Sequence, residues 1–146
     1  MKGAGVNRKL KINKNFKPCP VDEGDEMYPN GIFVFNITKM AQHIVEQGIP
    51  CEKVVVKDYP RSSNRFNEDH LPSVDVTKPI IVAEISPGRF NVIDGNHRME
   101  KARRLGIEQL MAFRLGPDQH MQFLTTEKGY LAYIDYWNDK LKTARQ

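Results

Sequence analysis

Two basic side chains stand at a position where helices ordinarily carry acids. The segment FNVIDGNHRMEKARRLG, residues 90–106, passes from strand-like residues through Asp94 and Gly95 into a predicted helix. A helix N-terminus exposes unpaired backbone N–H groups and the positive end of the helix dipole, which favours Asp or Glu in the first turn. His97 and Arg98 stand there instead. A bound anion would remove the electrostatic cost, so this turn is a candidate anion site.

A phosphate group fits the chemistry of this turn. Gly95 lets the backbone approach a ligand closely, and the guanidinium of Arg98 can bind two phosphate oxygens at once. Asn96 and His97 complete the predicted phosphate-binding set. The same spacing fits a purely structural turn, in which Asp94 or Asn96 caps the helix and the two basic side chains face solvent or pair with acids. Spacing alone leaves both interpretations open.

A hairpin, a short helix and a strand are predicted to position this turn. The runs PIIVAEI and FNVID flank residues 86–89 (SPGR), whose central Pro and Gly suit a type II turn. In the following helix Met99, Ala102 and Leu105 recur every three residues and are predicted to face the core. Gly106 ends the helix, and IEQLMAFRL resumes as a strand. Four charged residues are predicted on the outer face: Glu100, Lys101, Arg103 and Arg104.

The rest of the chain also carries strand and helix signals. IFVF and CEKVVVKDY are predicted strands, and the helix between them, NITKMAQHIVEQG, has Thr38 as its predicted N-cap and Gly48 as its end. The polar connection at residues 60–78 is long, which in a compact domain indicates function or mobility. Near the C-terminus a stripe at helical spacing is predicted to dock on the body. Its members are Tyr130, Tyr133, Ile134, Trp137 and Leu141.

The composition predicts a single α+β domain. The chain has 146 residues, 40% of them hydrophobic and 27% charged, and no apolar run approaches the ~20 residues that a bilayer helix needs. The N-terminus lacks the apolar segment of a secretory signal, so we expect a cytoplasmic protein without membrane contact. Cys19 and Cys51 belong to no metal-binding spacing and are expected to be free thiols. We predict a folded unit at residues 31–146, preceded by an extended segment, residues 1–30, that is basic and then acidic.

The positive charge of the chain is concentrated at its start. Residues 1–20 carry six Lys or Arg and no acid, and because the whole chain has a net charge of +4, residues 21–146 carry −2. Such a tail can contact nucleic-acid phosphates without sequence preference. A solvated and partly disordered terminus is the commoner case, and it is the interpretation we favour from sequence alone.

The turn and its neighbours resemble a known superfamily. Residues 78–115, KPIIVAEISPGRFNVIDGNHRMEKARRLGIEQLMAFRL, are similar to the ParB/sulfiredoxin superfamily, whose members carry a strand, a Gly-x-(His/Arg)-Arg turn, a helix ending in Leu-Gly and a further strand. The resemblance implies a small mixed sheet with a strand-turn-helix unit that binds nucleotide phosphates. It fades outside this stretch, and residues 1–48 match no part of the pattern.

The branches of this superfamily imply different chemistries. Sulfiredoxins carry a catalytic cysteine where this chain has Asn96, so reduction of a sulfinic acid is not expected here. Partition proteins carry Gly-Glu-Arg-Arg, bind CTP with magnesium and continue into a helix-turn-helix domain. This chain has His97 in place of the first Arg, and the residues after Leu115 are too few for that domain. Stand-alone domains with Asp-Gly-(Asn/His)-His-Arg resemble it more closely, and some are phosphotransferases such as the free serine kinase.

The closest branch therefore implies a nucleoside di- or triphosphate with Mg²⁺, and phosphoryl transfer or nucleotide hydrolysis at the turn. Asp94 is predicted to organise the turn or face the metal, His97 to polarise a phosphate or act as a general acid, and Glu68 to act as the base. Arg61 and Arg65 can close over a bound nucleotide. Each residue also has an ordinary alternative: a helix cap, a hydrogen bond within the turn or a solvated surface charge.

Two other functions fit the sequence. A ParB-like nuclease or DNA-associated protein would use the same anion pocket, with residues 1–20 adding non-specific affinity for nucleic acid. A non-catalytic nucleotide-sensing or protein-interaction module would use the C-terminal aromatic helix as an interface, for instance in a homodimer. His43, His70 and His120 have no ligand spacing and no predicted role.

Overall fold

The computed structural model of the protein describes residues 8–61 and 65–144, which form an α+β fold. Its strands are Met27–Asn30 (β1), Phe33–Asn36 (β2), Glu52–Val55 (β3), Ile80–Ser86 (β4), Arg89–Asp94 (β5) and Gln109–Leu115 (β6). Its helices are Ile37–Gln47 (α1), Asn96–Leu105 (α2), Pro117–His120 (α3) and Glu127–Ala144 (α4). Across these two ranges every helix is too short or too polar to cross a bilayer.

The strands form two sheets of different size. β1 and β2 make an antiparallel pair, whereas the larger sheet has the order β3-β6-β4-β5. Within it β4 pairs antiparallel with β5 and parallel with β6, and α2 lies in the connection between β5 and β6. Strand β3 ends at Val55, earlier than predicted, because residues 56–58 form a 3₁₀ turn. The prediction of an α+β fold with a small mixed sheet is confirmed, and the ParB/sulfiredoxin type stays a prediction.

Strand β4 separates two hydrophobic cores, because alternate side chains of a strand point to opposite faces. Ile81 and Ile85 pack into the first core with α1 and α4, and Ile80 and Val82 pack into the second core with α2. The turn between β4 and β5 is tight, as its Pro-Gly pair predicts, and Gly88 has a φ of +79°. The hairpin therefore places the end of β5, and with it the start of α2, beside the buried central strand.

The predicted core-facing side of α2 is confirmed for two of its residues and wrong for the third. Met99 and Ala102 are buried in the second core, and Gly106 ends the helix as predicted. Leu105, predicted to face the core, is 62% exposed. Glu100, predicted on the outer face, is 3% exposed because two arginine side chains hold its carboxylate against the protein. The buried face of α2 is thus rotated toward Glu100.

The N-cap of α1 lies two residues before the predicted one. Asn36, not Thr38, is the N-cap, and its side-chain oxygen accepts the Lys39 N–H at 3.0 Å. Thr38 Oγ1 instead accepts the backbone N–H of Glu26 at 2.7 Å, which ties α1 to the segment before β1. Gly48 ends α1 in the left-handed conformation, as predicted.

Helix α4 belongs to the first core along one side. The predicted stripe is confirmed, since all five of its members are buried: Tyr130, Tyr133, Ile134, Trp137 and Leu141. The Tyr133 hydroxyl donates to the backbone oxygen of Glu84 at 2.6 Å, so the helix is bonded to β4 as well as packed on it. Because the body of the same chain covers this aromatic stripe, the stripe is not a surface for a homodimer.

Part of the chain before β1 is anchored on α4. Leu10 and Cys19 are buried in the first core, and the Leu10 N–H donates to Asn138 Oδ1 at 2.8 Å. Residues 8–20, which we call the strap, are therefore held against the body of the protein, although most of their side chains are exposed. The remainder of the predicted basic tail, residues 1–7, lies outside the described residues.

Candidate functional site

The start of α2 is shaped by its N-cap, Gly95. This residue has a φ of +101°, which side chains rarely adopt, and a Cβ atom here would lie 2.5 Å from Ile80 Cγ2. Asn96 Nδ2 donates back to the Val92 oxygen at 3.3 Å, so neither Asn96 nor Asp94 caps the helix. The first turn has no side-chain cap and no acid. An uncapped first turn leaves its N–H groups able to bind an anion.

The guanidinium of Arg98 is held beside this turn. Its Nη1 donates to the Pro79 carbonyl oxygen at 2.7 Å, and its Nη2 lies 3.8 Å from Asp94 Oδ2. The side chain is only 21% exposed, so it is a positioned cation rather than a freely moving one. A positioned arginine loses less side-chain entropy when it binds an anion.

A segment of the long polar connection covers His97. The His97 ring lies 5.3 Å from the Phe66 ring and 5.5 Å from the His70 ring, in both cases edge to face. His70, for which no role was predicted, therefore places a second imidazole at the turn. In the sequence, only the length of the connection at residues 60–78 indicated that this segment belongs to a functional site.

Two grooves meet at the start of α2. The turn groove, of about 560 Å³, is lined by residues 93–98 and by side chains from residues 70–78. The aromatic groove, of about 380 Å³, has four rings in its walls: Tyr28, Tyr59, Phe66 and Phe90. Tyr28 and Asn96 line both grooves, so the two adjoin at the first residue of the helix.

The turn groove carries both signs of charge. Lys78 and Arg98 supply its cations. Three carboxylates also line it: Glu26, Asp75 and Asp94. Hydrogen bonds from the side chain and backbone of Thr77 hold the pKa of Asp75 below its usual range, so this carboxylate stays ionised. Carboxylates next to cations suit a phosphate that carries a bound divalent cation better than a bare anion.

One face of α2 forms a wall of the aromatic groove. Four residues at positions i, i+3, i+4 and i+7 line it: Asn96, Met99, Glu100 and Arg103. The Glu100 carboxylate binds the guanidinium of Arg61 and accepts from Arg104 Nε at 2.8 Å. Burial raises the pKa of Glu100, but the hydrogen bonds from Arg104 and Arg61 outweigh it, so the pKa is lowered and the group is ionised. The two ion pairs to the buried Glu100 carboxylate fix this groove wall.

Sequence reasoning placed Glu100 on the outer face of α2, and the structure buries it. Arg61, predicted to close over a bound nucleotide, lines the aromatic groove and not the turn groove, and its side chain is 62% exposed. The spacing of Asn96, Glu100 and Arg103 on one helical face was a signal that could have identified this wall. The charges of these residues suggested a solvated face instead.

The predicted base, Glu68, is held away from both grooves. Its two carboxylate oxygens accept from Arg104 at 2.6 and 2.9 Å, and it lines neither groove. The hydrogen bond from Arg104 lowers the pKa of Glu68, which weakens it as a proton acceptor. Of the three predicted catalytic residues, Asp94 and His97 are brought together at the turn, and Glu68 is not.

The chain matches no protein-family model, no curated protein and no solved structure in the comparisons made. The ParB/sulfiredoxin relationship thus stays a prediction from residues 78–115.

Proposed function

We propose that this protein binds a nucleoside di- or triphosphate across the two grooves, with the phosphates in the turn groove and the nucleoside in the aromatic groove. The observation that carries this proposal is that the two grooves adjoin at Tyr28 and Asn96 and have different linings. A nucleotide is a ligand with one charged end and one flat, partly apolar end. The pair of grooves has the same division of chemistry.

The phosphate end of the ligand lies at the uncapped start of α2. Backbone N–H groups of the first turn, the Arg98 guanidinium and Lys78 favour negative charge there. Position 95 has room only for glycine, because a Cβ atom there would lie 2.5 Å from Ile80 Cγ2 and 2.9 Å from Arg98 Nη1. His97 adds a ring nitrogen that can donate to a phosphate oxygen.

The nucleoside end lies among the aromatic rings. Base–aromatic stacking contributes about 1–3 kcal/mol per base and does not depend strongly on which base is bound. Asn91 and Asn96 line the same groove and offer amide groups to the edge of a base. The ionised Glu100 and its arginine partners close the wall next to these amides.

We expect Mg²⁺ to bind at this site together with the phosphates of the nucleotide. Residues 8–61 and 65–144 hold no group of three or more His, Cys, Asp or Glu that could bind a metal alone. Mg²⁺ in nucleotide sites commonly takes one or two carboxylates together with substrate phosphates, and Asp94, 25% exposed in the turn groove, is the carboxylate we assign to it. The ion would neutralise phosphate charge during phosphoryl transfer or hydrolysis.

Titration calorimetry with Mg²⁺ complexes of ATP, ADP and CTP tests the proposal. Tripolyphosphate probes the turn groove alone and adenosine the aromatic groove alone, so each should bind more weakly than a nucleotide. Arg98→Ala should weaken nucleotide binding at least about tenfold, because hydrogen bonds to charged groups contribute roughly 1.5–3 kcal/mol. Arg89→Ala is the matched control, because Arg89 is exposed on the β4–β5 turn and lines neither groove.

Absence of nucleotide binding by the folded wild-type chain, or equal affinity in Arg98→Ala and wild type, would overturn the proposal. Thermal unfolding of both variants checks that they are folded, since Arg98 also binds Pro79. Phosphate release from a bound triphosphate that stops on addition of EDTA would establish the phosphoryl-transfer chemistry. Binding without release would exclude nucleotide hydrolysis.

A further inference from the structure

The strap, residues 8–20, is bonded to α4 through its own backbone. The Asn138 side chain accepts from the N–H of Leu10 at 2.8 Å and donates to the carbonyl oxygen of Leu10 at 2.9 Å. Trp137 Nε1 donates to the Arg8 carbonyl oxygen at 3.1 Å. This part of the strap is therefore held in one place by side chains that reach out from the helix.

The second half of the strap is held as well. The Asn13 N–H donates to the Tyr130 hydroxyl oxygen at 2.8 Å, and the Phe16 ring stacks parallel on the Tyr130 ring with centroids 3.8 Å apart. The Cys19 N–H donates to the Leu124 oxygen at 2.8 Å. Contacts along its whole length make the strap an ordered part of the surface.

The outward side of the strap is basic. Its exposed cations are Arg8, Lys9, Lys11, Lys14 and Lys17. The strap contains no acid, and residues 21–146 carry a net charge of −2. Four acids follow the strap: Asp22, Glu23, Asp25 and Glu26. Asp22 and Asp25 lie 2.6 and 3.5 Å from Lys39 Nζ, so these two carboxylates pair with a cation at the start of α1. Arg8 lies 3.6 Å from Asp118, which leaves the four lysines as the main positive row.

The apolar side chains of the strap favour a soluble polyanion over a membrane. Leu10 and Cys19 face the first core and Phe16 is half-buried, whereas Ile12 is 57% exposed. A membrane-surface segment needs an apolar face directed outward as well as cations. The outward side of the strap carries five cations and, among its large hydrophobic side chains, only that of Ile12. Cations repeated over ten consecutive residues suit a ligand that repeats its own charge, such as a nucleic-acid backbone.

We propose that the strap binds the sugar-phosphate backbone of nucleic acid without sequence preference. Because the strap is already ordered on α4, binding does not have to order it. No residue of the strap lines either groove, so this surface is independent of the proposed nucleotide site. A protein with both would hold a nucleic acid on one side of α4 and a nucleotide at the start of α2.

Fluorescence anisotropy with a labelled oligonucleotide, as single strand and as duplex, tests this surface on the full chain. The double variant Lys14→Ala, Lys17→Ala is compared with Lys53→Ala, Lys57→Ala, which removes the same charge from exposed lysines at β3 and the 3₁₀ turn after it. Affinity for the duplex is measured from about 50 to about 200 mM salt. The strap variant should bind more weakly, and its slope of log affinity against log salt should be smaller by about 2. The control should keep the wild-type slope.

Equal losses in the two double variants would overturn the proposal, because net charge alone would then explain the affinity. Absence of binding by wild type at low salt would also overturn it. Strap-dependent binding to anionic lipid vesicles with no binding to the oligonucleotide would assign the strap to a membrane instead. Equal unfolding temperatures of both variants and wild type show that the comparison reports on binding.

Discussion

Helices α1 and α2 both follow a strand almost directly, and they begin in opposite ways. At α1 the fully buried Asn36 caps the helix and also donates to Pro20 O at 3.1 Å and to Asp25 Oδ2 at 2.8 Å. The cation in the first turn of α1, Lys39, is neutralised by Asp22 and Asp25. The hydrogen bond from Asn36 is the main reason that the pKa of Asp25 lies below its usual value.

At α2 the same position is a glycine, and no side chain caps the helix. The cation in its first turn, Arg98, has one carboxylate near it, Asp94, at 3.8 Å, and binds a backbone oxygen besides. Both helix starts carry a basic residue, but only at α1 does the chain supply a cap and two carboxylates. A basic first turn is therefore a candidate anion site when no side chain of the protein caps the helix.

The largest expected effect comes from Gly95→Ala, which should abolish the open start of α2. The new Cβ atom would meet Ile80 in the second core and would hold a left-handed φ, so we expect a loss of about 3 kcal/mol in unfolding free energy, with loss of nucleotide binding. Gly106→Ala at the other end of α2 is the control, because its Cβ would meet nothing within 4 Å. It should cost about 1 kcal/mol and keep nucleotide affinity, as urea unfolding and calorimetry can measure.

Asn36→Ala should affect the capped start of α1 without affecting the uncapped start of α2. It removes the cap of α1 and leaves the Pro20 oxygen and the Asp25 carboxylate without this donor, so we expect a loss of about 2 kcal/mol in unfolding free energy. Asn36→Ser keeps a capping oxygen and should recover part of the loss. A change in nucleotide affinity in either variant would contradict the separation of the two helix starts.

Acid should weaken the first core, where the His120 ring packs against Phe35 and Tyr133. His120 is fully buried, and burial lowers its pKa to about 4, although its Nε2–H donates to the Glu84 oxygen at 2.8 Å. Between pH 6.5 and pH 4 the unfolded chain takes up a proton that the folded chain does not, so stability falls as the pH falls.

For His120 we expect a loss of about 2 kcal/mol in unfolding free energy between pH 7 and pH 5, measured by urea unfolding. His120→Gln, which cannot titrate, should show a smaller loss over the same interval. An equal loss in wild type and variant would show that another group titrates. Nucleotide binding at the start of α2 is therefore measured above pH 7, where this core is at full stability.

The smallest effect on stability is expected from Asp94→Asn. The ion pair with Arg98 is long and partly exposed, so the unfolding free energy should change by less than about 1 kcal/mol. If Asp94 faces Mg²⁺, the variant should bind ATP with a weaker dependence on Mg²⁺ than wild type. Calorimetry at two Mg²⁺ concentrations checks this, and an unchanged dependence would remove Asp94 from the metal.

Features set by short-range spacing were predictable from the sequence. The stripe from Tyr130 to Leu141 follows helical periodicity, and Gly48, Gly88 and Gly106 mark turns and helix ends that the structure contains. The helix cap at Asn36 was missed because Thr38 is also a common capping residue. Asn36 is the cap because β2 ends at this residue and α1 begins directly after it.

Features that join distant segments were not predictable. The four rings of the aromatic groove come from β1, from β5 and from two places in the chain between β3 and β4. Glu100 is buried because Arg61, 39 residues earlier in the chain, reaches its carboxylate. A single sequence carries no signal for such a pairing, and a charged residue among charged neighbours predicts a solvated face. The candidate phosphate-binding turn could be proposed from the sequence because all of its residues are consecutive.

We infer that the start of α2 lacks a cap because it binds an anion, and His97→Glu tests this inference most directly. This variant restores the acid that a first turn ordinarily carries, so it should stabilise the helix by about 0.3–1 kcal/mol while repelling phosphate. Lys128→Gln, in the first turn of α4, is the control, because it lowers the net charge by one unit, as the replacement of a neutral histidine by glutamate does. We predict an unchanged or higher unfolding temperature for His97→Glu with loss of Mg²⁺–nucleotide binding in calorimetry, and wild-type binding in the control. Wild-type nucleotide affinity in His97→Glu would contradict the account.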